Sequence, residues 1–237
     1  MKRLVRTLAI VAALAAPALA SAQDNVEVTA GADLVSGYIW RGQDLGNAAI
    51  QPTVGVAYKG LSVTAWGSYG IADKDDTKEL DLTVAYTVGG FTIGVTDYYA
   101  QSGDGQCNGK YFLYEAHKTA HVFEANLGYD FGPVALNWYT NFAGADGVNK
   151  DGDRAYSSYF QMDAPFKLGG LDWNATLGVA PFATDYYEKA NKFAVTDITV
   201  KATKEINVTP SFKLPLFAAL TANPSTQKFY LTAGLTF

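Results

Sequence analysis

The residues best equipped for chemistry are few. The chain of 237 residues holds two histidines, His117 and His121, and one cysteine, Cys107, beside 23 acids and 18 Lys and Arg. A zinc ribbon, a haem-attachment motif or a disulfide scaffold needs clustered ligands or paired thiols. Those classes are excluded, and no metal or cofactor is expected. His117 and His121 stand at the four-residue spacing of a helical metal pair, but they read as a loop end and a strand start. A His-x-Ser hydrolase would want serine where His117-Lys118-Thr119 has threonine. Asp97 with His121, near an outer rim, is the remaining acid-base pairing that sequence alone can place. No catalytic residue is assigned, and no enzyme is expected. The carboxylates of the loops 73–76 (DKDD) and 144–153 (GADGVNKDGD) lack the twelve-residue calcium pattern with its closing Glu, and read as turn chemistry or as sites for divalent bridging to lipopolysaccharide.

The elements that position these residues are strands. From Leu171 the apolar set Leu171, Trp173, Ala175, Leu177, Val179 alternates with Asp172, Asn174, Thr176, Gly178. Leu80, Leu82, Val84, Tyr86 against Glu79, Asp81, Thr83, Ala85 repeat the pattern, as does the C-terminus ending on Phe237. This is period-two amphipathicity. It predicts about twelve strands, near 26–42, 48–58, 61–72, 77–88, 91–100, 119–131, 134–143, 154–168, 171–184, 193–206, 211–222 and 228–237, with 111–114 (YFLY) as the candidate extra piece. Every second connection is tight (Lys59-Gly60, Gly89-Gly90, Gly132-Pro133, Gly169-Gly170, 207–210), and the others are longer and polar. Sorting loops by length between two ends is the habit of an outer-membrane barrel. The expected fold is therefore all-β, an antiparallel up-and-down transmembrane β-barrel.

Placement in the cell follows from the N-terminus and the charge. Lys2, Arg3 and Arg6 precede an apolar run from Thr7 to Ala20 and the small-residue site Ala20-Ser21-Ala22, which reads as a signal peptide over 1–22, leaving a barrel over 23–237. A formal net charge of -5 argues against nucleic acid. Removing three basic residues leaves 15 bases against 23 acids. Export and outer-membrane localisation are expected.

Parity then assigns faces. The apolar sets, free of charge at mid-height, would meet lipid, with Lys78, Asp97, His121 and Lys204 as exceptions near strand ends. Aromatics at the short-turn end (Tyr58, Tyr86, Phe91, Tyr129, Phe131, Phe166, Phe212) read as an interfacial girdle. The opposite parity turns Glu27, Asp33, Glu79, Asp81, Glu124, Asp130, Asp163 and Asp197 toward the lumen with Arg41, Lys167 and Lys201. Such a lumen favours cations and passes small hydrophilic solutes by diffusion. Alternatively the charges pair across strands and fill it, leaving a structural barrel or one that binds partners through the loop 101–118. Arg41, beside Trp40, could hold a loop or contact an anionic solute group.

The segment ADLVSGYIWRGQDLG (32–46), with Ser36, Tyr38, Trp40, Arg41 and Gly42, followed by Gln51-Pro52 and Ala65-Trp66-Gly67-Ser68, is similar to the TorF-type family of outer-membrane porins. The ending on Phe237 resembles the signal by which barrels are recognised for assembly. The resemblance implies a Gram-negative outer-membrane barrel, with lipid, lipopolysaccharide, the barrel-assembly machinery and small solutes as its partners.

Overall fold

The computed structural model describes residues 26–101, 109–115, 118–187, 191–209 and 212–237. The segment 1–22, Cys107 and His117 lie outside the described residues. Alternating apolar and polar side chains put β structure throughout, and the described residues contain no helix.

Twelve strands close into one antiparallel barrel. In chain order they are β1 (Glu27–Val35), β4 (Ala49–Tyr58), β5 (Leu61–Gly70), β6 (Lys78–Val88), β7 (Phe91–Gln101), β8 (His121–Asp130), β9 (Ala135–Gly144), β10 (Ser158–Leu168), β11 (Leu171–Ala180), β12 (Ala194–Asn207), β13 (Lys213–Asn223) and β14 (Lys228–Thr236). The remaining two, β2 (Tyr38–Trp40) and β3 (Gln43–Gly46), pair only with each other. Short turns gather at one end: Lys59-Gly60, for example, takes φ of 49° and 87°, the left-handed pair that a two-residue hairpin needs.

The burial pattern is inside-out for a water-soluble protein. Val54, Val63, Leu82, Val84, Ile93, Val95, Leu127, Val200 and Leu220 are exposed on the outer wall. Inside, Thr83, Thr96, Asn126, Gln161, Asp163 and Thr221 are buried. Cross-strand hydroxyl pairs line the inner wall, Thr83 with Thr96 at 3.0 Å and Thr199 with Thr221 at 2.7 Å, the polar counterpart of the side-chain ladders that stabilise sheets.

Two expectations need correction. The first strand does not run to residue 42. It stops at Val35, and residues 38–46 form the β2–β3 hairpin inside the barrel, where Tyr38 and Trp40 join a buried aromatic cluster. Residues 111–114 are not a strand either; their aromatic rings pack on the outer face of β8.

Candidate functional site

The site is the lumen where the inner hairpin crosses it. Trp40 stands opposite Gln43, leaving Arg41 and Gly42 as a two-residue turn with φ of 51° and 78°. Only glycine fits at Gly42, because an added Cβ would lie 1.8 Å from the Thr196 carbonyl oxygen on β12. The tip thus rests against the inner wall at β12 and β13, where Asn223 on β13 donates to the Gly42 carbonyl at 3.0 Å.

The turn holds Arg41 in a backbone region that non-glycine residues seldom occupy. Its side chain explains why the conformation persists. Arg41 Nη1 and Nη2 donate to the two carboxylate oxygens of Glu124 on β8 at 2.6 and 2.9 Å, and Nη1 also donates to the Tyr187 hydroxyl at 2.8 Å. Tyr98 donates to Glu124 at 2.8 Å. The guanidinium carbon lies 4.4 Å from the Trp40 ring centroid, 4.2 Å from that of Tyr139 and 4.7 Å from that of Tyr159. Arg41 and Glu124 side chains are 2% and 1% exposed. A bidentate, fully partnered ion pair stacked on aromatic faces is the arrangement in which a buried charge is tolerated.

A second tie lies on the β6 side, where Tyr38 donates to Glu79 at 2.9 Å and Asp81 touches Glu79. The bend that brings the hairpin inward is clamped from a rim loop. Asp76 accepts the Asn47 main-chain N–H at 3.1 Å, its side-chain amide at 2.8 Å and the Asp73 N–H at 3.0 Å. These donors, the Asn47 backbone first, hold the Asp76 carboxyl below its ordinary range.

Beneath the tip a cavity of about 80 Å³ opens between Ile39 and Arg41 above and Asp197, Thr199, Lys201 and Phe217 on the wall, room for several waters. Lys201 Nζ sits 3.9 Å over the Phe217 ring. Asp163 accepts from Gln161 at 2.6 Å, Thr176 at 2.7 Å and Asn174 at 3.1 Å. Asp197 accepts from Thr199 at 2.6 Å and Tyr159 at 3.3 Å. Asp81 Oδ1, both amide atoms of Asn126 and Asn174 Oδ1 are buried without a protein partner.

Of the residues that parity turned inward, Arg41, Glu124, Glu79, Asp81, Asp163, Asp197 and Lys201 come together around this constriction and cavity. Asp33 and Glu27 sit lower on β1, partly buried. Two stand at the short-turn rim instead: Asp130 is exposed and accepts the Gly132 N–H at 2.7 Å, and Lys167, also exposed, pairs with Asp172. The tyrosines that frame Arg41 are the part sequence reasoning missed. Tyr98, Tyr139 and Tyr159 fall at inward parity among Thr and Asn, and that polar-tipped aromatic set was the available signal.

His121 is on the other face. Its Nδ1 lies 2.7 Å from Asp97 Oδ1 and its Nε2 2.6 Å from the Tyr111 carbonyl oxygen, while the Tyr114 and Tyr99 rings cover it at 4.3 and 4.7 Å. Both ring nitrogens face acceptors, so none is left over for a metal or a substrate proton. The pair fastens the segment 109–115 to the outer wall. Among the described residues no group of three or more His, Cys, Asp and Glu side chains is placed to hold a metal ion.

A family model described as a bacterial protein of unknown function (Gcw_chp) matches residues 19–214. No curated protein matches the chain. Two solved structures are similar over most of their length. A chain from a study of the in-meso crystallization of membrane proteins shares 9% identity at a TM-score of 0.46, covering 90% of this chain and 83% of that one. An outer membrane channel from Pseudomonas putida F1 shares 12% identity at a TM-score of 0.41, covering 94% of this chain and 98% of that one.

Proposed function

The chain belongs to the Gcw_chp family of bacterial proteins of unknown function, and we propose that it is an outer-membrane channel for small hydrophilic solutes, cations foremost. The observation that carries this reading is the lumen wall, where Asp81, Asn126 and Asn174 present buried polar atoms with no protein partner. Such atoms call for water along their length. Water inside and a mainly apolar surface outside is the polarity of a barrel set in lipid.

Selectivity follows from the charges left after pairing. Arg41 is matched by Glu124, so the inward carboxylates Glu79, Asp81, Asp163 and Asp197 face Lys201 as the main remaining base. A cation entering this lumen meets a favourable field. The short turns would face the periplasm and the long loops the outside, with Phe237 available to the assembly machinery from the periplasmic side.

The inner hairpin crosses the long-loop half of the lumen, and on this reading it is what restricts passage. This same plug favours a second reading, a non-conducting barrel that works through its loops. The two separate in planar bilayers with a variant in which residues 37–47 are replaced by an Asn-Gly turn joining Ser36 to Ala48. The folded variant should give conductance steps and a cation-sided reversal potential in asymmetric salt. A folded but silent variant overturns the channel, and recovery of the native chain in the soluble periplasmic fraction overturns the membrane location.

A further inference from the structure

We propose that residues 36–48 are a hinged gate, able to leave the lumen and take a place in the barrel wall; this rests on the channel reading. The register carries it. In the wall, Val35 stands opposite Ala49; inside the lumen, Tyr38 stands opposite Gly46. Three residues up one strand and three down the other, the pairing is the same as far as Tyr38, beyond which a one-residue bulge sets Ile39 opposite Asp44 and Trp40 opposite Gln43. β1–β2 and β3–β4 are therefore one long hairpin, bent at Ser36-Gly37 and Asn47-Ala48, with its upper part folded across the pore.

The wall has a slot where that upper part would go. β14 pairs with β1 over a short stretch, from Ala32 against Phe237 through Asp33, Leu34 and Val35 against Thr236, Leu235 and Gly234. At the bend the ladder is closed off by a side chain: Ser36 N donates to the Ala233 carbonyl at 2.8 Å, and Ser36 Oγ accepts the Ala233 N–H at 2.9 Å. Above that point β2 passes close to β14 without pairing with it, so Phe229 and Leu231 have no ladder partner on the β1 side. They are also among the most exposed apolar side chains, at 65% and 70%. An unmatched strand edge at the height of the bilayer is a standing demand for a partner.

Extending the β1–β14 register into this slot sets Tyr38 opposite Leu231 and Trp40 opposite Phe229. Parity fits as well. The even residues of β1, such as Val28 and Leu34, face outward, so Tyr38 and Trp40 would turn their rings to the lipid interface, where such rings are favoured. Ile39 and Arg41 would turn inward. One movement would complete the wall and clear the lumen, and the bonds that oppose it are those of Arg41, Tyr38, Gly42 and Asn47 described above.

The test is a disulfide between two residues that the wall position sets opposite each other. In a Cys107→Ser background, Trp40→Cys with Phe229→Cys should cross-link on oxidation in membranes, faster when Arg41→Ala is added. The cross-linked barrel should conduct continuously and close again on reduction. Leu34→Cys with Leu235→Cys, already ladder partners, is the control. If the control pair cross-links and the gate pair does not, the gate is wrong even where the shortened hairpin conducts. If the gate pair cross-links but the product is silent, the hinge stands and the channel fails. With Trp40 kept and the other three tryptophans of the chain replaced by Phe, brominated lipid should quench Arg41→Ala several-fold more than the latched chain. No difference between them would contradict the outward swing.

Discussion

Arg41 at the tip of the inner hairpin and Glu124 on the facing wall are joined through both carboxylate oxygens, at 2.6 and 2.9 Å, across the width of the lumen. Removing one member of such a pair strands the other's charge, typically at about 3–5 kcal/mol, whereas replacing both with apolar groups costs far less. Glu124→Leu and Arg41→Met should each speed chymotrypsin cleavage at Tyr38 and Trp40 by at least about ten-fold, because releasing the hairpin relieves the stranded charge. The double variant should recover most of the protection. Equal cleavage of the singles and the native chain would show that the pair does not hold the tip.

The His121 fastening is separate from the lumen and predicts a separable effect. Loss of the imidazole removes its contacts with Asp97 and the Tyr111 carbonyl beneath the covering rings, a loss of about 1–3 kcal/mol. His121→Ala should therefore free the segment 109–115 to proteases at Lys110 and Lys118 while single-channel conductance stays unchanged. A change in conductance would tie the outer segment to the pore.

Acid should loosen the bend through Asp76. Its folded-state carboxyl is held below the ordinary range by the Asn47 and Asp73 donors, so its contribution is complete above the unfolded-state value, near about 3.9, and is lost as pH falls through the lowered folded value. Quenching of Trp40 by brominated lipid should thus be flat from neutral to mildly acidic pH and rise only below about pH 4. Asp76→Asn should be loosened already at neutral pH and lose that dependence.

Lipid contact predicts a depth profile on one strand face. Val84 and Val88 are both exposed on the outer side of β6, at its middle and at its short-turn end. In bilayers Val84→Arg should cost about 2–4 kcal/mol and Val88→Arg about 0–1 kcal/mol, measured by reversible unfolding into denaturant. Two equally mild substitutions would mean that this face does not meet lipid.

The barrel was legible in the sequence because period-two alternation and the sorting of connections by length are local properties, visible residue by residue. The inward fold of 38–46 was not, and the register says why. Its side chains alternate as the wall's do, so Tyr38, Trp40 and Arg41 read as the upper end of one strand, and the bend at Gly37 leaves the pattern intact. Parity also tells face without height. It turned Asp130 and Lys167 inward with Asp163, although only Asp163 lies deep enough to be buried. The Tyr98, Tyr139, Tyr159 and Tyr187 surround of Arg41 draws on four separate segments, and only the closed ring brings them together.

The brief ladder between the first and last strands also bears on how the molecule is made. Asp33 and Thr236 are partners separated by nearly the whole chain, whereas the other neighbours in the ring follow one another in sequence. Hairpins can zip locally and early, while contacts between distant segments wait for the chain to be ordered between them. Joining the two termini should therefore be the final and slowest step of assembly, with few bonds to drive it, and an unjoined sheet is the intermediate expected to accumulate when Leu235 or Phe237 is altered.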